Sequence, residues 1–78
     1  MASISNIGTA WTTIGAPTAA NEIWQCKAGS VEITAEAVPG PNDGIRLNVG
    51  QGCPISAGKT ISYRRVSESA AVIQREAL

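Results

Sequence analysis

The sequence of 78 residues contains no histidine and no phenylalanine, and charged residues make up only 15% of it. Without histidine, the chain lacks the commonest general base and metal ligand, and every Ser–His or Cys–His nucleophile pair. The single aspartate, Asp43, lies in a stretch rich in proline and glycine. The composition therefore predicts a protein that is not an enzyme and that needs no cofactor.

Cysteine is also scarce: Cys26 and Cys53 are the only two, and neither belongs to a Cys-x-x-Cys pair. A structural zinc site takes four ligands, so one chain with these residues does not provide such a site. The thiols leave three possibilities open: two free buried thiols, which we favour narrowly, a disulfide within the chain, or disulfides between subunits. Thiols stay reduced in the cytosol, whereas an oxidising environment favours disulfides.

Neither sign of charge is in excess, because six Lys or Arg stand against six Asp or Glu. A nucleic-acid binder needs clustered positive charge to displace counterions, so this balance argues against one. No apolar run reaches the 18 residues of a membrane span, and the first residues lack the basic start of a signal peptide. We expect a protein that is made in the cytoplasm and binds neither nucleic acid nor membrane.

The short length limits the hydrophobic core. A chain of this size buries only about 60% of its unfolded surface, and apolar burial and ordering entropy nearly cancel at this length. Binding to a partner stabilises a folded protein by mass action. We therefore expect the chain to bury apolar surface against a partner.

The apolar residues that are present favour strands. Nine Ile and five Val stand against two Leu, and eight Gly and four Pro divide the chain into short pieces. The clearest alternation covers 30–37, where Val31 and Ile33 point one way and Glu32 the other. Further strands are expected at 9–14, 22–27, 45–49, 54–56 and 60–66, with a loop at 39–44. The predicted fold class is all-β, a single small antiparallel sandwich or barrel of about six to eight short strands.

The two ends of the chain carry weaker patterns. Residues 1–8 show no alternation but contain Ile4 and Ile7, so we expect an N-terminal arm whose isoleucines pack on a neighbouring subunit. A single β domain then covers 9–78. Within it, residues 67–78 fit both a helical face and a strand.

Six pieces of sequence follow one another in a characteristic order: Trp-Thr-Thr-Ile-Gly at 11–15, Val-Glu-Ile at 31–33, Gly-Ile-Arg-Leu at 44–47, Ile-Ser-Ala-Gly-Lys-Thr at 55–60, Tyr-Arg-Arg-Val at 63–66 and Ala-Val-Ile at 71–73. This order resembles small β-sandwich virion structural proteins of tailed phages and prophages. The two cysteines and Trp24 fall outside that pattern. The resemblance implies that the last segment of the chain is a strand.

The resemblance further implies a capsid decoration protein in the virion, made in the host cytoplasm. Such a protein binds the major capsid protein on the outer surface of the shell as a small oligomer, with a trimer favoured. A tail, neck or spike accessory subunit is the alternative within the virion. A carbohydrate- or surface-binding module that stacks its ligand on Trp11 or Trp24 is the alternative of another class.

Candidate interface residues are the large apolar or cationic side chains that anchor partners in protein interfaces. They are Ile4, Ile7, Trp11, Trp24, Arg46 and Arg64. Trp24 lies in an alternating segment and is the one we expect more often in the core, whereas Trp11 fits core and interface equally. Neighbouring strand residues point to opposite faces, so Arg64 and Arg65 are not expected to form a basic patch.

Overall fold

The computed structural model describes residues 2–36, 39–40 and 42–78, and in these ranges it contains eight strands and no α-helix. The strands are β1 Ala2–Ile4, β2 Thr12–Thr13, β3 Glu22–Ala28, β4 Ser30–Thr34, β5 Ile45–Asn48, β6 Gly52–Ile55, β7 Ser62–Arg65 and β8 Val72–Ala77. They form two four-stranded antiparallel sheets: sheet A in the order β1-β8-β3-β6 and sheet B in the order β2-β7-β4-β5. The prediction of a small all-β sandwich is confirmed.

One hydrophobic core joins the two sheets. The alternation read from β4 is correct, because Val31 and Ile33 are buried while Glu32 lies on the opposite face. The other buried apolar residues of the core come from strands of both sheets and from the connections: Ile7, Trp24, Cys26, Leu47, Ile55, Ile61, Ala71 and Ile73. In β3 and β4, alternate residues are therefore buried in the core, as the period of two requires.

The first residues of the chain belong to the sandwich. β1 pairs with β8 and places Ile4 against the core, and Ile7 is 6% exposed inside it. Arg65 also fixes this segment, since its Nε donates to Ile7 O and its backbone N–H donates to Gly8 O. The prediction of an arm with both isoleucines on a neighbouring subunit is therefore wrong for the described residues 2–8. A strand of three residues is too short to show an alternation in sequence.

The last segment is a strand, as the resemblance implied. β8 lies between β1 and β3 in sheet A, and its residue Ile73 is fully buried in the core. The helical reading of 67–78 is wrong, because the segment pairs with a strand on each side. A tertiary partner on both edges outweighs the good helix propensity of Ala, Gln, Arg and Glu.

Several strand limits differ from those predicted. β4 ends at Thr34, and Ala37 of the expected strand lies outside the described residues, as does Pro41 of the expected loop. β6 begins at Gly52, so Cys53 lies in a strand and not in a turn. Pro54 is compatible with β6 because this strand ends the sheet, where a missing N–H breaks no ladder on the open side.

Candidate interaction surface

One row of side chains crosses the outer face of sheet B, which points away from the core. Glu32 of β4 lies opposite Arg46 of β5 on one side and opposite Arg64 of β7 on the other. Trp11 immediately precedes β2, the neighbour of β7, and its ring lies against Arg64. We name these four residues the sheet-B row. Three of the six predicted interface residues therefore come together on one face.

Glu32 and Trp11, both in the described part of the chain, hold Arg64 at the centre of the row. Its Nη2 and Nε lie 2.6 Å and 2.8 Å from Oε1 of Glu32, and its guanidinium carbon lies 4.4 Å from the centroid of the Trp11 ring. The side chains of Arg64 and Glu32 are 19% and 24% exposed, so water screens the ion pair only in part. A cation over a tryptophan ring contributes about 0.5–1 kcal/mol at exposed sites and more when desolvated. The row thus has an ordered centre before any partner binds.

The connection between β4 and β5 positions Trp11. The indole Nε1 donates a hydrogen bond to Gly40 O at 3.2 Å. Gly44 has φ +98, and a Cβ at this position would come within 2.9 Å of the Trp11 ring. Only glycine meets both conditions without strain. The half-buried indole therefore packs on the β4–β5 connection and lies outside the hydrophobic core cluster.

Arg46 is the exposed end of the row, on the edge strand of sheet B. Within the described part of the chain its side chain forms no ion pair and no hydrogen bond, because Glu32 accepts from Arg64 instead. Two arginines and one glutamate give the row a net charge of +1. Polar side chains surround the row on the same face; for example, Ser30 Oγ donates to Oδ1 of Asn48 at 2.8 Å. The row is the aromatic and cationic feature of a polar sheet face.

Trp24 forms a similar cluster inside the molecule and is 0% exposed. Its Nε1 donates to Oε1 of Glu22 at 2.9 Å, and Arg75 donates to both oxygens of the same carboxylate at 2.9 Å and 3.0 Å. The guanidinium carbon of Arg75 lies 4.9 Å from the Trp24 ring centroid. Hydrogen bonds from Arg75, and then from Trp24, lower the pKa of Glu22 against the opposing effect of burial. Trp24 is therefore a core residue, and its place among the interface candidates is wrong.

The two cysteines are free and lie on the adjacent strands β3 and β6. Cys53 lies opposite Trp24, so Cys26 is its diagonal neighbour two residues further along β3. Diagonal residues of an antiparallel pair are about 7–8 Å apart, which exceeds the usual Cα separation in a disulfide. Burial raises the pKa of the Cys26 thiol, while Cys53 is half-buried. The arrangement favours free thiols over a bridge within the chain.

Sequence reasoning therefore found part of this surface and misplaced the rest. Trp11, Arg46 and Arg64 lie together, whereas Ile7 and Trp24 are in the core. Ile4 is partly buried against that core. Glu32, which orders the row, was not among the candidate interface residues. The outward position of Glu32 in the alternating strand was visible in the sequence, but its two arginine neighbours depend on strands paired across long separations.

The described residues contain neither a metal-binding cluster nor a membrane-spanning helix. No group of three or more His, Cys, Asp or Glu in them is placed to hold a metal ion. They also include no helix long and apolar enough to cross a membrane. In comparisons with known proteins, no family model, no curated protein and no solved structure matches the chain significantly. Function is therefore inferred from the geometry of this chain.

Proposed function

We propose that this protein is a structural, non-catalytic module that attaches to a larger protein assembly through the sheet-B row. The observation that carries the proposal is the row itself. Trp and Arg are the residues enriched among those that dominate binding energy in protein interfaces. Here Trp11, Arg64 and Arg46 cross one polar sheet face in a line. Such a line provides a hydrophobic and cationic centre within a polar rim.

The row is prepared for binding in two ways. Arg64 is already held by Glu32 and Trp11, so ordering it costs little further side-chain entropy when a partner binds. Arg46 is exposed and offers a charge-assisted hydrogen bond to a carboxylate of the partner. The preferred partner surface is therefore flat, with an acidic group at one end of the contact.

The larger assembly that we propose is a phage virion, with this protein as a decoration protein on the major capsid protein. The order of sequence pieces that resembles small virion proteins supports this choice, and so does the confirmed small β-sandwich. Many copies on a symmetric shell would each gain stability from binding. A trimer on the shell is part of the proposal. A tail, neck or spike subunit would use the same row at a lower copy number.

The carbohydrate-binding alternative has less support from the geometry. Trp24 is enclosed by the core, so a sugar cannot stack on its ring without opening the sandwich. One face of the Trp11 ring is covered by the guanidinium of Arg64. A stacking platform for a sugar needs an open aromatic face, which the row offers only in part.

Binding to purified particles tests the proposal. Arg46→Glu reverses the charge at the exposed end of the row, and we expect binding to weaken by about tenfold or more. Lys27→Glu makes the same change at an exposed residue of sheet A and should leave binding unchanged. Equal binding by both variants, with circular dichroism confirming that both are folded, would show that the row is not the attachment surface.

The copy number per particle separates the proposed locations. Mass spectrometry of purified virions should find on the order of hundreds of copies for a shell protein with icosahedral symmetry. A tail, neck or spike subunit would be present in far fewer copies. Absence of the protein from purified particles would contradict the virion part of the proposal and leave the binding surface to be tested on another assembly.

A further inference from the structure

The sandwich is open along one side, between the end strands of its two sheets. β5 ends sheet B, β6 ends sheet A, and a groove of about 430 Å³ lies between them. Its apolar lining comes from both sheets and includes Ile33, Ile45, Cys53, Pro54, Ile55 and Ile61. This volume is in the range of clefts that bind ligands. The groove adjoins the sheet-B row along β5, because this strand carries Arg46 of the row and Ile45 of the groove lining.

β5 has an unpaired edge along this groove. The Asn48 N–H donates to Oε1 of Gln51 at 2.8 Å and so points away from β4. Backbone groups alternate in an antiparallel ladder, so the N–H and C=O of Arg46 also point to the open side. Ile45 faces the same side of the sheet as its partner Ile33 but is 53% exposed, because no strand follows β5 in sheet B.

The described lining of the groove carries a single charge, and that charge is positive. Lys59 is the only charged residue among the described residues that line it. Arg46 adds a second positive charge on the neighbouring edge strand. An occupant with carboxylates between apolar groups would therefore place its apolar groups against the lining and its carboxylates near Lys59 and Arg46.

We propose that the groove binds an extended segment of a partner protein in which apolar and acidic residues alternate. The segment pairs with β5 as a fifth strand of sheet B and bonds the free N–H and C=O of Arg46. Its inward side chains cover Ile45 and fill the groove against Ile55, and its carboxylates meet Lys59 and Arg46. Addition of a strand to a sheet edge combines main-chain affinity with side-chain selectivity.

A second copy of this chain fits the edge less well. Two β5 strands paired antiparallel about a two-fold axis would bring their Arg46 side chains close together, and like charges on paired strands repel. β6, across the groove, contains Pro54, which has no N–H to donate. The groove and its charge therefore favour an acidic partner strand over self-association.

Nuclear magnetic resonance of the full chain with short peptides tests the proposal. A peptide of alternating valine and glutamate should shift the amide signals of Ile45, Arg46 and Leu47, and slow exchange of the Arg46 amide about tenfold. A peptide with lysine in place of glutamate should bind about tenfold more weakly. Dodecanoate supplies a carboxylate and an apolar chain without a peptide backbone. Binding of dodecanoate alone, self-association without peptide binding, or no binding at all would overturn the proposal.

Matched variants locate the contact. Ile45→Thr should weaken peptide binding about tenfold, whereas Val49→Thr makes the same kind of change at a residue that is 62% exposed and outside the groove lining. Lys59→Glu should shift the preference toward the lysine peptide, and Lys27→Glu should not. Equal peptide binding by Ile45→Thr and Val49→Thr, or by Lys59→Glu and Lys27→Glu, would overturn the assignment of the groove as the peptide site. These variants change none of the four residues of the sheet-B row, so a loss of peptide binding in them can be distinguished from a loss of attachment through that row.

Discussion

Each tryptophan of this protein lies with an arginine and a glutamate, once outside the sandwich and once inside it. In both clusters the guanidinium covers the indole ring and binds the carboxylate. The clusters differ in burial, since Trp24 is enclosed by the core and Trp11 is half-buried. The same three residue types therefore form part of the buried structure in one place and the proposed binding surface in the other.

The inner cluster makes stability depend on pH through Glu22. Its pKa is lowered from the ordinary value of 4.5, mainly by the hydrogen bonds from Arg75. The stabilisation is therefore present above the pKa of the unfolded chain and is lost as pH falls through the lower folded value. We expect Glu22→Gln to lower the free energy of unfolding by about 2 kcal/mol near neutral pH, because a charge-assisted pair is lost.

Urea unfolding of both proteins as a function of pH measures this effect. The difference between wild type and Glu22→Gln should shrink toward zero as Glu22 is protonated in acid. Glu76→Gln, an exposed change in the same sheet, is the control and should cost less than about 0.5 kcal/mol at either pH. A difference for Glu22→Gln that does not change with pH would contradict the role of its charge.

The two thiols should differ in reactivity. Cys26 is buried and its pKa is raised by burial, so little thiolate is present at neutral pH. Cys53 is half-buried and lines the open groove. We expect iodoacetamide to label Cys53 in the native protein more than about 100-fold faster than Cys26, which reacts through unfolding. Labelling of Cys26 and Cys53 at similar rates in the native protein would contradict this expectation. As a control, the two thiols should react at similar rates in denaturant.

At the scale of strands, β1 and the residues after it should be needed for folding. Ile7→Ala removes a buried side chain that both sheets contact through the core, and should cost about 2–4 kcal/mol in the free energy of unfolding. Ser5→Ala, at an exposed neighbouring residue, should change it by less than about 0.5 kcal/mol. Deleting 2–8 should unfold the domain, as judged by circular dichroism; a folded deletion variant would restore the arm interpretation.

The turn between β3 and β4 depends on glycine for two reasons, the positive φ at Gly29 and the close approach of Ala70. Two variants separate these effects. Gly29 has φ +64, and a Cβ there would lie 2.7 Å from the backbone oxygen of Ala70. Gly58 has φ +81 but nothing within 4 Å of its Cβ position. Gly29→Ala should cost about 2–4 kcal/mol and Gly58→Ala about 1 kcal/mol. Equal losses in thermal or urea unfolding would mean that the close approach to Ala70 is unimportant.

At the scale of the whole molecule, the two sheets share one core and should unfold together. The Cα radius of gyration is 11.2 Å, close to the value of about 11.5 Å expected for a compact domain of this length. In Trp11→Phe, fluorescence follows Trp24 of sheet A alone, while far-UV circular dichroism follows both sheets. The two signals should give the same urea midpoint. Separate midpoints would show that the sheets unfold independently.

Local patterns in the sequence were sufficient for the fold class, because strand alternation and glycine turns are properties of a few adjacent residues. The inward positions of Val31 and Ile33, the outward position of Glu32 and the turn at Gly29 all follow from such patterns. Local patterns did not decide between strand and helix at 67–78, because these residues suit both. Pairing with β1 and β3 makes this segment a strand. The prediction of an N-terminal arm was wrong for the same reason, because the place of this segment in the sandwich depends on the pairing of β1 with β8.

The two proposed binding surfaces depend on tertiary structure. Sequence reasoning selected Trp11, Arg46 and Arg64 by residue type. Their common face depends on β5 and β7 pairing with β4 and on β2 pairing with β7. Sequence reasoning also selected Trp24, which the pairing of β3 with β8 encloses beside Arg75. The groove was not predicted at all, because it lies between the last strands of two sheets. Which strand ends each sheet is fixed by contacts between residues far apart in the chain, and no local pattern contains that information.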